Sequence, residues 1–213
     1  MLRSLLAAVL ACAALLAHAS VDAAADATGS APTILVLGDS LSAAYGIPAE
    51  RGWVALLQER LRSRGYPHAV VNASISGETT AGGLARLPAL LDRHQPQMVL
   101  IELGGNDGLR GLPLDRLAGN LTRMATLSRD AGAVPVLFEM RIPSNYGPTY
   151  STGFEAVFPQ VAEALDAPLV PFFLAGIALD PDAFLDDGIH PNVDSQPKML
   201  EAAWPTLQAA LAH

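Results

Sequence analysis

Apolar and polar positions alternate along the chain in two patterns that predict strands and helices in turn. Short apolar runs begin at residues 33, 69, 98, 134 and 169, and each predicts a buried strand. Between these runs, apolar residues recur at helical spacing, for example at Trp53, Leu57 and Leu61. Alternating strands and helices predict an α/β fold, a three-layer α/β/α sandwich around a five-stranded parallel sheet.

The expected order of the strands follows from the handedness of their connections. Right-handed crossovers favour a flavodoxin-like order of 2-1-3-4-5, with a switch point between the first and third strands. Unusual polar segments follow the first, second, third and fifth apolar runs. Because the carboxyl ends of parallel strands share one edge of a sheet, we expect these segments to converge there.

Three prolines bear on where the helices begin and end. Pro88 lies within the second helical pattern and leaves its boundaries open. Pro113 suits the first position of the helix that follows the third strand. Pro159 lies inside the pattern that follows the fourth strand, where it predicts a kink or a break.

The amino terminus is typical of a secretory signal peptide. Arg3 precedes an apolar run from Leu5 to Ala17, which at 13 residues is too short to span a bilayer. Small residues at alternate positions predict cleavage after residue 19 or after residue 25. We therefore expect residues 1–25 to be a signal peptide. Residues 32–213 then form a single domain in the periplasm or the medium.

Cysteine content and charge narrow the classes of function. Cys12 is the sole cysteine, and lipidation there is an alternative, although the apolar run continues beyond it from Ala13 to Leu16. Cleavage of the signal leaves no thiol for disulfides, thiol catalysis or zinc–thiolate sites. The net charge of −8 gives no basic footprint for nucleic acid.

A serine lies where the first apolar run ends. Residues 33–37 lead directly into Gly38-Asp39-Ser40, which predicts a buried strand that breaks into a tight turn. Ligands in such folds bind at the carboxyl ends of the strands, so Ser40 is a candidate nucleophile. The alternative is an ordinary turn or helix-cap serine.

His190 is the candidate base for Ser40. It lies after the last strand in Asp186-Asp187-Gly188-Ile189-His190-Pro191, at the expected edge of the sheet. Asp187 comes three residues earlier and can orient the imidazole, although a surface turn explains this spacing equally well. We expect the histidines within residues 32–213 other than His190 to be solvent-exposed. These are His68, His94 and His213.

Two further loops supply candidate donors to an oxyanion. Gly77 follows the second strand, where the missing side chain lets a backbone N–H approach a substrate closely. Asn106 follows the third strand in Gly104-Gly105-Asn106-Asp107, and its carboxamide is a suitable oxyanion donor. Taken alone, this segment predicts a plain turn.

These segments, in order, resemble the four sequence blocks of the SGNH (GDSL) hydrolases, and the resemblance extends from about Ile34 to the last helix. Within that superfamily the chain is similar to the bacterial periplasmic thioesterases and lysophospholipases. The Gly-x-Ser-x-Gly elbow of α/β-hydrolases is absent, which disfavours that fold. The blocks are Gly38-Asp39-Ser40-Leu41-Ser42, Gly77, Gly105-Asn106-Asp107 and Asp187-Gly188-Ile189-His190-Pro191.

The resemblance implies a catalytic role for each matching residue. Ser40 is then the nucleophile, His190 the base and Asp187 its orienting partner. The oxyanion hole consists of the backbone amides of Ser40 and Gly77 and the side chain of Asn106.

The resemblance also implies the substrates. They are acyl esters and thioesters, including lysophospholipids, acyl-CoA and aryl esters, and no metal or organic cofactor is needed. We expect a monomer without stable membrane insertion. The loops at residues 108–113 and 142–147 are placed to line an apolar groove for the acyl chain.

Two other functions remain open on the sequence alone. The same four blocks occur in carbohydrate acetyl-esterases, which would prefer acetyl to longer acyl groups. A non-catalytic exported binding protein on the same fold belongs to a different class. Its sequence would be expected to lack Ser40, Asn106 or His190, and all three are present.

Overall fold

The structure, a computed structural model, describes residues 31–212. The expected signal peptide, its cleavage sites and Cys12 lie outside the described residues, as does His213. Within the described range, none of the helices has the length and apolar character needed to traverse a bilayer.

A parallel sheet of five strands in the order β2-β1-β3-β4-β5 forms the centre of the fold. This confirms both the α/β class and the flavodoxin-like strand order. The central strands β1 and β3 are almost entirely buried, as expected for strands covered on both faces. The strands are β1 (Thr33–Gly38), β2 (Ala69–Asn72), β3 (Met98–Glu102), β4 (Val134–Phe138) and β5 (Leu169–Val170).

Residues 31–212 contain six helices, and the longer ones cover the two faces of the sheet. They are α1 (Trp53–Ser63), α2 (Thr80–His94), α3 (Gly105–Leu109), α4 (Leu114–Asp130), α5 (Pro148–Leu165) and α6 (Gln196–Ala210). Helices α2, α4 and α5 pack side by side, and α1 packs against α6 on the opposite face. The three expected layers are therefore present. Short 3₁₀ segments at Ala49–Arg51, Ser144–Tyr146, Pro181–Ala183 and Val193–Ser195 occupy the loops.

Prolines disturb the helices less than their sequence positions predict. α5 continues through Pro159, so the expected break is not formed, and α2 likewise continues through Pro88. On one side of Pro159, Phe154 and Phe158 are fully buried against the core. This burial outweighs the roughly 3 kcal/mol that an interior proline costs an isolated helix. Pro113 is the residue before α4 rather than its first residue.

Candidate active site

Ser40, His190 and Asp187 form a continuous hydrogen-bonded line at the carboxyl edge of the sheet. Ser40 lies two residues beyond the end of β1, and its Oγ is 2.9 Å from Nε2 of His190. Nδ1 of the same ring is 2.6 Å from Oδ2 of Asp187. The structure thus brings together three residues that are separated by up to 150 positions in the chain.

The turn from Asp187 to His190 is folded around the Asp187 carboxylate. Its Oδ1 accepts hydrogen bonds from the backbone N–H groups of Ile189 and His190, both at 2.9 Å. Gly188 has a φ of +66°, a conformation that favours glycine. The His190 backbone and ring hydrogen bonds, followed by the bond from Ile189, lower the pKa of Asp187 to about 2. Asp187 is therefore ionised at neutral pH.

A buried glutamine anchors the loop that carries His190. Gln196, the first residue of α6, accepts a hydrogen bond from the backbone N–H of Trp53 at the start of α1. Its amide donates to the carbonyls of Pro191 and Asn192, both at 3.2 Å. The histidine loop is thereby tied to both helices on that face. Sequence reasoning missed Gln196, since a single polar residue at a helix start carries no pattern.

Tyr45 contacts the His190 ring from the solvent side. The two ring centroids are 4.4 Å apart with an interplanar angle of 39°, and half of Tyr45 is exposed. Beside this pair, a shallow depression is lined by Ser40, Leu41, Ala44, Tyr45, Ile47, His190, Pro191 and Gln196. The residues that line this depression do not include any from the loops at 108–113 and 142–147, which were expected to line the acyl groove.

The two loops at residues 108–113 and 142–147 contact each other. The Tyr146 hydroxyl donates to the carbonyl of Leu109, and the Tyr150 hydroxyl donates to that of Leu112, each at 2.7 Å. Leu109 and Tyr146 also expose more than a third of their surface. The loops therefore present an open apolar surface.

Two backbone amides at this edge are free to donate. Among the described residues, the N–H groups of Ser40 and Gly77 have no protein acceptor. Gly77 has a φ of +79°, and its carbonyl accepts a hydrogen bond from Arg110 at 3.1 Å. Both predicted backbone donors thus lie in loops that leave their N–H groups unpaired.

Asn106 lies in a short helix rather than in the plain turn that its flanking glycines suggest. Gly104, with a φ of +123°, turns the chain from β3 into α3, and Asn106 follows in the first turn. Its Nδ2 donates to Oδ2 of Asp39 at 3.0 Å, which leaves the second N–H of the amide unpaired.

Asp107 fixes α3 against the neighbouring helix. Oδ2 of its buried carboxylate accepts from the Thr80 backbone N–H at 2.8 Å, and Oδ1 accepts from the Thr80 hydroxyl at 2.6 Å. Asn120 of α4 in turn donates to that hydroxyl. The position of Asn106 is therefore set by contacts between three helices, which its local sequence does not contain.

Two buried acids, Asp39 and Glu102, lie where β1 and β3 end, and the sequence analysis assigned no role to either. Burial raises the pKa of Asp39 to about 6, and burial together with the nearby Asp39 raises the pKa of Glu102 well above its usual range. Oδ1 of Asp39 accepts from the backbone N–H of Leu41 at 3.0 Å. The sequence feature that could have identified Glu102 is a carboxylate at the end of an otherwise apolar strand.

The remaining described histidines do not contact the site. His68 precedes β2 and His94 ends α2, and both are partly buried rather than solvent-exposed as expected. Burial lowers the pKa of His68.

Comparison with known proteins gives a consistent result. The sequence model of the GDSL-like Lipase/Acylhydrolase family matches residues 36–196. Esterase TesA of Pseudomonas aeruginosa is 52% identical over 182 residues, which cover 85% of this chain and 90% of that protein. Thioesterase 1/protease 1/lysophospholipase L1 of Escherichia coli K12 is 47% identical over 184 residues, covering 86% of this chain and 87% of that protein.

A solved structure extends the similarity to three dimensions. The psychrotrophic esterase EstA from Pseudoalteromonas sp., inhibited by monoethylphosphonate, superposes with a TM-score of 0.81 at 45% sequence identity. The match covers 85% of this chain and 99% of that one. The fold and the relatives thus agree with the resemblance of the four sequence blocks to the SGNH (GDSL) hydrolases.

Proposed function

The chain belongs to the GDSL-like Lipase/Acylhydrolase family and is a carboxylic ester hydrolase, and from that premise we propose that Ser40 is its nucleophile. His190 is the general base, and Asp187 orients the imidazole and stabilises the imidazolium that forms. The observation that carries this proposal is the hydrogen-bonded line from Ser40 Oγ through both ring nitrogens of His190 to Asp187. A base within hydrogen-bond reach of a hydroxyl, itself oriented by a carboxylate, is what serine catalysis requires.

Acylation begins with proton transfer from Ser40. With Nδ1 donating to Asp187, Nε2 of His190 accepts the hydroxyl proton as Oγ attacks the acyl carbonyl carbon. The imidazolium formed in this step lies against an ionised carboxylate, since the pKa of Asp187 is held near 2. The imidazolium then protonates the departing alcohol or thiol, which leaves an acyl ester on Ser40.

The tetrahedral oxyanion is held by three donors. They are the backbone N–H groups of Ser40 and Gly77 and the second N–H of the Asn106 carboxamide. In the free protein none of these three N–H groups has a protein acceptor among residues 31–212, which supports their availability to a substrate. Preorganised donors of this kind stabilise charge that develops only in the transition state.

Deacylation repeats the same steps with water. His190 removes a proton from the attacking water, and the second oxyanion is held by the same three donors. His190 then returns the proton to Oγ as the carboxylic acid departs. No step calls for a metal ion or an organic cofactor.

The substrates we propose are acyl esters and thioesters, including lysophospholipids and aryl esters. The names of the relatives, esterase and thioesterase 1/protease 1/lysophospholipase L1, support this range. The exposed side chains of Leu109 and Tyr146 offer an open surface on which an acyl chain can lie. An open surface favours tolerance of several acyl chains over a single one.

We further propose that residues 1–25 act as a secretory signal and that the mature domain, residues 32–213, works as a monomer in the periplasm. The apolar run from Leu5 to Ala17 and the small residues after it support export. The mass of the protein recovered from the periplasm tests the cleavage site. A full-length mass there would refute cleavage.

The nucleophile is tested with Ser40→Ala, and Ser63→Ala is the matched control on the exposed surface of α1. Ser40→Ala is expected to abolish hydrolysis of a p-nitrophenyl acyl ester and labelling by a fluorophosphonate probe, with an unchanged circular dichroism spectrum. Ser63→Ala is expected to keep both activities. Turnover retained by Ser40→Ala would refute the assignment.

A panel of acyl chain lengths then separates lipase-like from acetyl-esterase activity. Esters of medium and long acyl chains and lysophospholipids are expected to be better substrates than acetyl esters. A preference for acetyl groups would favour a carbohydrate acetyl-esterase instead.

A further inference from the structure

Asp39 and Glu102 are two acidic side chains buried next to each other where β1 and β3 end, and Asp39 immediately precedes Ser40. Asp39 is 3% exposed and Glu102 is 0% exposed. The backbone N–H of Asp39 donates to Oε2 of Glu102 at 3.3 Å, and the Ser42 hydroxyl hydrogen-bonds the same oxygen. Among residues 31–212, no lysine or arginine forms an ion pair with either carboxyl group.

Two buried carboxylates without a cation cannot both be ionised at neutral pH. Each charge would lose its hydration and repel the other, so the pair retains one proton. The other titratable groups that face Asp39 are Asp107 from α3 and His190 from the loop after β5. Asp107 adds repulsion, whereas a protonated His190 would favour a charge on Asp39.

Burial and the distribution of hydrogen bonds over the four carboxyl oxygens decide which of the two residues carries the charge. Asp39 accepts from two N–H groups, those of the Leu41 backbone and the Asn106 carboxamide, each at 3.0 Å. Oε1 of Glu102 is buried without any partner in the described part of the chain. Glu102 also accepts two hydrogen bonds, but both reach Oε2. Because Glu102 is completely buried and its Oε1 has no donor, whereas each oxygen of Asp39 accepts an N–H, Asp39 holds the charge and Glu102 holds the proton.

We propose that Asp39 and Glu102 form a buried acid pair with a single negative charge, and that this charge positions the Asn106 carboxamide as an oxyanion donor. The inference rests on the role proposed above for Asn106. Asp39 binds one N–H of the amide and thereby fixes the rotation of the side chain. The second N–H is then held towards the site where the oxyanion forms.

The proton on Glu102 has a further consequence for the reaction. A second negative charge in this pair would repel the oxyanion. A neutral Glu102 still accepts the Asp39 backbone N–H and still contacts the Ser42 hydroxyl. Asp39 and Glu102 are therefore positioning residues that act through Asn106 and do not touch the substrate.

The first test is a double-mutant cycle between positions 39 and 106. Asp39→Asn keeps the side-chain shape but removes the charge and one acceptor, so Asn106 loses its fixed partner. We expect kcat to fall about 10- to 100-fold with KM unchanged, less than the roughly 10²- to 10³-fold that loss of an oxyanion donor costs. Asn106→Ala and the double variant are expected to have equal kcat within about 2-fold, because Asp39 acts only through Asn106.

A purely structural role for Asp39 would give a different result. The fold decrease in kcat caused by Asp39→Asn would then multiply with the decrease caused by Asn106→Ala. Alternatively, Asp39→Asn would raise KM and lower the melting temperature without changing kcat. Wild-type kcat in Asp39→Asn would also overturn the proposal. Glu201→Gln, in the surface ion pair with Arg60, is the matched carboxyl-to-amide control and is expected to behave as wild type.

The second test does not depend on activity or on the folding of Asp39→Asn. The infrared spectrum of the wild-type protein at neutral pH is expected to contain the carbonyl band of a protonated carboxylic acid. Glu102→Gln is expected to remove that band. Absence of the band from wild type, or its persistence in Glu102→Gln, would overturn the assignment of the proton.

The two sets of experiments separate this inference from the proposed function. If Ser40→Ala retains activity, the proposed nucleophile is wrong whatever the infrared spectrum contains. If Ser40→Ala and Asn106→Ala lose activity while Asp39→Asn does not, the proposed function stands and the acid pair has no positioning role.

Discussion

Gly38 is the position at which adding one methyl group should do the most damage to the site. It ends β1 and lies directly opposite Glu102 at the end of β3. A Cβ atom on residue 38 would lie 2.6 Å from Oε2 of Glu102 and 2.7 Å from Oγ of Ser42. Both distances are well below van der Waals contact. Because Glu102 is fully buried, its side chain cannot move aside into solvent.

The cost of Gly38→Ala follows from two physical terms. Overpacking a close-packed interior costs about 1–3 kcal/mol. Displacing Glu102 from Ser42 leaves buried polar groups unpaired, which costs a further 1–3 kcal/mol or so. The sum of about 2–6 kcal/mol corresponds to a fall in Tm of roughly 4–24 °C for a chain of this size.

Gly119→Ala is the matched control for this change. Gly119 lies on the exposed side of α4, and a Cβ there would have no atom within 4 Å. Alanine in a helix interior is favoured over glycine by about 0.5–1 kcal/mol, so this variant is expected to be slightly stabilised. Urea denaturation of both variants, monitored by circular dichroism, measures the difference between their unfolding midpoints. Equal midpoints for Gly38→Ala and Gly119→Ala would contradict the predicted overpacking at residue 38.

Two further predictions concern the oxyanion donor and the dependence of stability on pH. Asn106→Ala is expected to lower kcat about 10²- to 10³-fold with little change in KM, because the oxyanion exists only in the transition state; steady-state kinetics measure this, and an effect confined to KM would contradict it. The free energy of unfolding is expected to fall as pH rises from about 4 to about 6, since folding raises the pKa of Asp39 from 3.8 to about 6 and the folded protein then binds a proton that the unfolded chain has lost. Asp187 has the opposite sign: folding lowers its pKa from 3.8 to about 2, so its contribution to stability is present above about pH 4 and is lost between about pH 4 and pH 2. Urea titrations across pH 2–7 measure both effects as the slope of the free energy of unfolding against pH. This slope is expected to be smaller above pH 4 in Asp39→Asn and smaller below pH 4 in Asp187→Asn. Unchanged slopes in these variants would contradict the two pKa shifts.

The strands and their order were predictable because each depends on a short-range pattern. An apolar run such as residues 98–101 is long enough to reveal a strand, and the handedness of crossovers orders the strands without any long-range information. The meeting of the loops that carry Ser40, Gly77, Asn106 and His190 follows from that order. The roles given to these residues came from the resemblance of the four blocks and remain predictions.

Helix boundaries and histidine exposure were predicted less well, and the reason is tertiary packing. Pro159 is a helix breaker by local propensity, but the burial of Phe154 and Phe158 keeps α5 continuous. The glycines around Asn106 predict a turn, whereas contacts from Thr80 to Asp107 hold the segment as α3. His68 and His94 were expected in solvent, and neighbouring residues partly cover both.

The sequence alone therefore determined the α/β architecture, the edge of the sheet that carries the polar loops and the residues that match the family. Only the tertiary structure decided the geometry between them, such as the 2.9 Å from Ser40 to His190 and the 3.0 Å from Asn106 to Asp39. It also decided the ionisation of Asp39 and Glu102, which lie 63 positions apart. The physical reason is that a pKa depends on desolvation and on the groups in contact, and folding alone supplies both.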